Sequence, residues 1–353
     1  MVDRMEKRRV TIVATLRNSI GAVVIVGIAL AALVVLSLLL SATPLKTLRY
    51  FFLGPLQNTY YFGNMLNMAI PLIFGGLGVS LAMRSGSFNL GGEGQLYSGA
   101  FVATISALAL ARWGSAGVVV ALFLGACTGG LLAGLSGVLR MKWNTSELIT
   151  SFLVSNAVVL VVSYLIAGPF MDPATNLIAT RMIPESFRFT RILEPSNLSS
   201  ALFAAVIAVL VVHLYLYKTK SGYELRLFGL NPRFAAYGGI RTKWYQVWPM
   251  FLSGAFYGLA GGMAIFGTYY ACMKEFSTGM GWNGLAVALI ARHRPAAVIP
   301  AALFFAYIES GARNAMLHSD VTFEIASIVQ SVVFFLVTSA VLQKIGSVQR
   351  RSI

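Results

Sequence analysis

Long apolar runs recur along the chain, broken by short clusters of Lys and Arg, and this alternation limits the fold more than any other feature. Ten runs can be drawn: 20–40, 61–83, 93–111, 116–140, 147–167, 198–217, 245–273, 282–291, 295–313 and 321–342. A helix rising 1.5 Å per residue needs about 20 apolar residues to cross a hydrocarbon core of roughly 30 Å. Most of the runs meet that length. Of the 353 residues, 57% are hydrophobic and 11% are charged, where soluble domains average roughly 25% charged. No water-soluble fold hides that much apolar surface. A soluble enzyme, a disordered chain and a disulfide scaffold are excluded. The sequence predicts an all-α polytopic membrane protein of about ten transmembrane segments, with residues 1–353 as a single transmembrane domain.

The formal net charge of +15 raises the question of nucleic acid. The bases, however, sit between apolar runs, as Lys and Arg do when they set membrane topology. No nucleic-acid partner is expected, and membrane lipid is. The first run follows Arg4, Lys7, Arg8, Arg9 and Arg17 and is 21 residues long, beyond the roughly 7–15 of a signal peptide. It reads as an anchor after a cytoplasmic N-terminus, residues 1–18. If all ten runs cross, the stretches on that same side hold 19 of the 27 basic residues. The tail, 343–353, then also lies in the cytoplasm. The run 282–291 is too short to cross as a straight helix. It reads as half of a broken span or as a partly inserted helix, which is tolerated only beside protein or a watery cavity.

Two loops stand out. The outer loop 169–197 balances Arg181, Arg188 and Arg191 against Asp172, Glu185 and Glu194, and is long enough for a small lid. The inner loop 218–244 carries six bases and one acid, Glu224. It is the longest cytoplasmic stretch and the expected docking surface.

Catalysis has little to work with. His213, His293 and His318 lie on separate segments, as do Asp3, Asp172 and Asp320. No HExxH, GxSxG or phosphate-loop motif is present, so no enzyme activity, metal site or cofactor is expected in this chain. Cys127 and Cys272 read as free thiols within apolar segments. Transport is left as the leading class, and its candidates are polar residues inside spans: Asn64, Asn67, Asn156, Gln330 and Glu309. An ionisable group there is a functional candidate. The plainer alternatives are interhelical hydrogen bonds for the amides and a pair with Arg313, four residues on, for Glu309.

Residues 85–95 are the most unusual stretch. Four glycines and the polar Asn89, Glu93 and Gln95 stand between two apolar runs. Glycine permits close backbone approach, and Glu93 opens the third helix where its dipole favours a carboxylate. Two readings remain open: an interfacial cap, or an unwound stretch lining a solute path. The small-residue blocks 125–137 and 254–267 read as tight helix packing.

Residues 88–100, Phe-Asn-Leu-Gly-Gly-Glu-Gly-Gln-Leu-Tyr-Ser-Gly-Ala, resemble the signature of bacterial ATP-binding-cassette importer permeases for simple sugars, nucleosides and branched-chain amino acids. Residues 144–150, Asn-Thr-Ser-Glu-Leu-Ile-Thr, with Asn156, are similar to a segment of the nucleoside permeases. Residues 222–226, Gly-Tyr-Glu-Leu-Arg, followed by 229–232 and 235–240, are similar to their coupling segment, and the block from Asn283 to Leu289 also fits. The resemblance covers roughly 60–345. The chain departs from the pattern at Leu227-Phe228, Thr145-Ser146, the basic Arg292-His-Arg294 and the acid Glu309.

The resemblance implies a bacterial cytoplasmic-membrane permease that pairs with a second, homologous permease. Two ATPase subunits, which bind the ATP and Mg, sit beneath, and an extracytoplasmic binding protein or lipoprotein delivers solute. It implies coupling to the ATPase through Glu224, Arg226, Asn231, Pro232, Ala235, Ala236 and Gly239. The residues agree in part: Pro232 suits a first turn, Asn231 suits its cap, and a short helix ending at Gly238 and Gly239 is expected. A nucleoside-like solute needs amides and aromatics, for which Asn67, Asn156 and Trp282 are candidates. The glycine-rich block near 90 and the broken block near 282 are candidates for counterparts in two inverted halves. The alternatives are a proton-coupled secondary transporter using Glu309 or Glu93, and a structural membrane protein.

Overall fold

In a computed structural model of the protein, residues 41–320 are described, together with isolated positions at 31, 34, 35, 38, 322, 328, 331, 332 and 335. The expected spans 20–40 and 321–342, Gln330 and both tails fall outside the described residues or almost wholly so. Among the described residues the chain is helical, with two isolated β-bridges and no strand. The α-helices are α1 Pro44–Leu53, α2 Thr59–Arg84, α3 Gly92–Ala109, α4 Gly114–Trp143, α5 Glu147–Ala167 and α6 Ala201–Lys218. They continue with α7 Lys220–Leu230, α8 Pro232–Tyr237, α9 Thr242–Ala264, α10 Met280–Ile290 and α11 Pro295–His318.

Among the described residues, six helices are long and apolar enough to cross a membrane: α2, α4 with its preceding turn, α5, α6, α9 with its π-helical extension Ile265–Tyr269, and α11. The chain is thus a multi-pass membrane protein. The third expected span is helical over 18 residues, but its polar Gly-Glu-Gly-Gln opening leaves it less apolar. The run at 282–291 is the 11-residue α10, as short as its sequence required.

The described chain falls into two compact units, residues 58–306 and a smaller one that includes 41–57 and 307–320. In the smaller unit, Asp320 accepts from the Ser41 hydroxyl at 2.7 Å, the Thr43 hydroxyl at 2.8 Å and the Ala42 N–H. Those hydrogen bonds hold its carboxyl below the usual carboxylate range. Tyr307 donates to the Phe52 carbonyl at 2.6 Å, and Glu309 pairs with Arg313 at 2.8 Å across one helical turn.

The larger unit is built on close helix packing. Asn58 caps α2, its side chain accepting from the Tyr61 N–H at 2.9 Å. Along the seam of α4 and α9, a Cβ on Gly254 would collide with the Gly129 carbonyl, and one on Gly258 with the Gly125 carbonyl. Backbones approach this closely only where both helices carry glycine. The two small-residue blocks are therefore a packing seam, as the sequence suggested.

The loop 169–197 is not a free strap. Its backbone runs along the end of α9 and the turn beyond: Phe189 N–H donates to Phe266, Ile183 to Tyr270 and Thr180 to Cys272, at 2.8–3.0 Å. Ile183 and Phe187 are fully buried in one apolar cluster with Phe266 and Cys272. Cys127 and Cys272 are free thiols. The inner loop is mostly helical. α7 ends at Asn231, whose side chain accepts from the Phe234 N–H at 3.0 Å and caps α8, with Pro232 in the first turn. Gly239, at φ +76°, follows its end. The cap, the proline and the glycine stop stand where the sequence placed them.

Candidate functional site

The block 85–95 is turned into the protein. Ser85, Ser87, Asn89 and Gln95 are each at most 2% exposed. A buried polar side chain costs free energy unless its partners are present, and here they are. Asn89 and Gln95 exchange two amide hydrogen bonds, at 2.8 and 2.9 Å. Asn89 also donates to the Ser253 hydroxyl on α9 at 2.9 Å and accepts from the Gly91 N–H at 2.9 Å.

Non-helical backbone in a membrane needs the same satisfaction. Helix α5 provides it. Ser151 accepts from the Leu90 N–H at 3.0 Å, and Ser155 from the Gly94 N–H at 2.7 Å. At the start of the block, Arg140 bridges Glu147 at 2.7 Å and Ser87 at 3.0 Å. A Cβ on Gly94 would strike the Ser155 backbone, so this approach requires glycine.

Helices α3 and α10 both begin from non-helical chain, and their N-termini meet at Glu93. Its Oε2 accepts from the Gly281 N–H at 2.9 Å. The N-cap of α10 is Gly279, which has no side chain to offer. Glu93 therefore caps α10 from another helix, placing negative charge where the dipole is positive. Gly281 packs on the Glu93 backbone so closely that a side chain there would collide. The buried Tyr257 of α9 donates to the Gly281 carbonyl at 2.8 Å. Asn89, Gly92, Glu93, Tyr257, Gly281 and Trp282 line a narrow crevice at this junction. Trp282 remains 46% exposed and meets the Phe152 ring edge-on at 6.2 Å.

The structure thus gathers Asn89, Glu93, Gln95 and Trp282, with Asn283 in the same first turn of α10. The other candidates lie elsewhere. Asn64 accepts from the Asn197 N–H at 2.9 Å and holds the end of the loop 169–197. Asn67 donates to the Thr268 hydroxyl at 2.8 Å. Asn156 is exposed and bonds back to the Phe152 carbonyl in its own helix. Glu309 belongs to the smaller unit, paired with Arg313. Among the coupling candidates, Glu224 accepts from the Tyr245 hydroxyl at 2.9 Å. Arg226 stacks on the Tyr217 ring, 5.1 Å from its centroid. Ala235 is buried, while Ala236 faces outward beside the exposed Phe234 and Tyr237.

Sequence reasoning missed Ser151, Ser155, Ser253, Tyr257 and Arg84. The four-residue spacing of Ser151 and Ser155 was a usable signal, since it puts both on one helix face. Tyr257 offered none. Arg84, at the end of α2, donates to the His293 carbonyl at 2.9 Å and to the Tyr217 hydroxyl at 3.3 Å. His293 stands in the turn between α10 and α11. Burial, and then the nearby Arg84 charge, hold its imidazole down to about 4 from the ordinary 6.5.

The family described as branched-chain amino acid transport system / permease component matches residues 61–338. The probable riboflavin import permease protein of Treponema pallidum (strain Nichols) is 34% identical over 320 residues, 90% of this chain and 84% of that protein. The guanosine ABC transporter permease protein of Bacillus subtilis (strain 168) is 30% identical over 290 residues, 81% of this chain and 83% of that one. A glucose ABC transporter permease protein of Haloferax volcanii is 31% identical over 338 residues, 91% of this chain and 85% of that one. No solved structure matches the chain significantly.

Proposed function

The chain belongs to the family of branched-chain amino acid transport system permease components, and from that premise we propose that it forms half of a pore importing a nucleoside or related sugar-bearing solute. One observation carries the reading. A polar block that opens with non-helical chain is held inside the protein with its Asn89 and Gln95 amides paired, and two helix N-termini converge on the crevice beside it. Broken helices that meet around a polar point are how transporters build a solute path within a membrane. The relatives described above are named as permeases for riboflavin, guanosine and glucose. The exposed Trp282 ring with Phe152 beside it supplies a stacking surface suited to a planar base, which favours the nucleoside end of that range.

ATP and Mg are bound by a separate ATPase subunit, which meets α8. A second permease completes the pore, and an extracytoplasmic binding protein or lipoprotein presents the solute. The short helix α8, with Phe234 and Tyr237 exposed, is the contact that receives the ATPase. We place the chain in a bacterial cytoplasmic membrane with both termini inside. The halves α2–α3 and α9–α10 each pass from a long helix through non-helical chain to a shorter one, which supports the inverted-halves reading. A proton-driven carrier using Glu309 or Glu93 finds no support, since Arg313 neutralises the first and α10 engages the second.

The test is capture of the tagged chain from its own host in mild detergent. An ATP-binding-cassette subunit and a second permease at near-equal amounts are expected, and bound nucleoside on any captured binding protein. A folded chain that comes down without an ATPase overturns the reading.

A further inference from the structure

A cluster of basic and aromatic side chains lies where α2, α6 and α10 end, away from the crevice at Glu93. Tyr217 is its centre. Arg84 donates to the Tyr217 hydroxyl at 3.3 Å. Arg226 lies over the Tyr217 ring at 5.1 Å, and the His213 ring is 4.9 Å away. Arg84 also holds the His293 carbonyl, in the turn flanked by Arg292 and Arg294.

Among the described residues, the cluster has donors and no acid paired with them: none of Arg84, Arg226, Arg292 and Arg294 makes an ion pair. The Nε of Arg226 is buried and bonds to nothing, as do the Nδ1 atoms of His213 and His293. A His nitrogen donates or accepts according to its tautomer, but a guanidinium Nε can only donate. A buried, unpaired donor on a charged group is costly and calls for an acceptor. Helix C-terminal carbonyls offer part of one, and Arg84 uses the His293 carbonyl in that way. Arg226 has no such partner.

A second observation says what kind of acceptor fits. Phe203, Ile207, Leu210 and Leu214 of α6 are exposed. Spaced four, three and four residues apart, they form one stripe along the helix, and three residues further on it reaches Tyr217. A ligand that is apolar along its length and anionic at its head matches both features. Basic pockets between helices at the membrane surface hold lipid headgroups by the same logic.

We propose that Arg84, Tyr217, Arg226 and the His293 turn bind the phosphate of one anionic membrane phospholipid, with an acyl chain lying along the α6 stripe. The site does not depend on the solute. It does reassign Arg226, which the family resemblance placed at the ATPase contact, to the lipid.

The full chain is purified in detergent, given equal phosphatidylglycerol and phosphatidylcholine, washed, and its retained lipid counted by native mass spectrometry. The expected result is one phosphatidylglycerol held per chain in preference to phosphatidylcholine. Arg226→Gln is expected to weaken that retention about fivefold, the size of one basic contact at a membrane surface. Lys220→Gln removes the same charge from a side chain that is 90% exposed and salt-bridged to Glu224, and is expected to change nothing. Equal retention of the two lipids by the unaltered chain overturns the proposal without any variant. So does an equal loss in Lys220→Gln, which would mean general surface charge. Displacement of the lipid by excess inorganic phosphate alone would mean that a free anion, not a lipid, is the occupant.

Discussion

Glu93 carries two duties that a sequence cannot separate: it begins one helix and caps another. Removing its side chain leaves the buried Gly281 N–H without its acceptor, at about 1–3 kcal/mol. Glu93→Ala is therefore expected to lower the thermal midpoint in detergent and to abolish uptake. Glu93→Gln keeps an acceptor oxygen and is expected to recover most of the midpoint. An unchanged midpoint in Glu93→Ala would show that the cap is not stabilising. His293 gives a pH dependence with a definite sign. Its folded value, about 4, lies below the ordinary 6.5. Between those values the unfolded chain takes up a proton that the folded chain refuses. Stability is thus fully present above about pH 6.5 and falls as the pH drops toward 4. The midpoint measured across that range should show the slope, and His293→Gln should flatten it.

Among the elements, the seam of α4 and α9 is where geometry is least forgiving. A Cβ at Gly254 meets the backbone carbonyl of Gly129, which cannot rotate away. Gly254→Ala is expected to force the helices apart at about 1–3 kcal/mol, the usual cost of overpacking, and to reduce the folded yield in detergent. Gly134 of α4 also turns toward α9, but a Cβ there would meet only Phe251, at 3.6 Å, ordinary contact. Gly134→Ala is expected to fold at least as well as the native chain, since alanine favours helix over glycine by about 1 kcal/mol. Equal yields for the two variants would remove the seam's close approach as a cause of stability. The helix α8 makes the opposite case. Six residues cannot hold a helix by propensity alone, yet the Asn231 side chain and Pro232 fix its start and Gly239 its end. Those signals are local, which is why they could be read in advance.

For the molecule as a whole, motion must pass from α8 to the crevice if ATP is to drive transport. The route is short: Gly229, at the end of α7, packs directly on the Arg84 and Ser85 backbone, where the buried block begins. Ala236 faces outward from α8 and touches none of this packing, so it probes the contact without disturbing the fold. Ala236→Trp is expected to leave insertion intact and to lower solute uptake at least tenfold while the assembled complex still hydrolyses ATP. Retained uptake in that variant would place the ATPase contact elsewhere. The helical membrane class, the short α10, the capped α8 and the glycine seam were legible along the chain, because each follows from apolar length or from neighbours within a few residues. The block at 85–95 was visible as chemistry, but whether it lay at an interface or inside the protein was not. That Asn89 meets Gln95 and Ser253, that Glu93 caps α10, and that Asn64 and Asn67 are engaged elsewhere came from the folded arrangement alone. Those partners stand up to 201 residues away along the chain, and what brings them together is the packing of whole helices, which no local pattern of residues encodes.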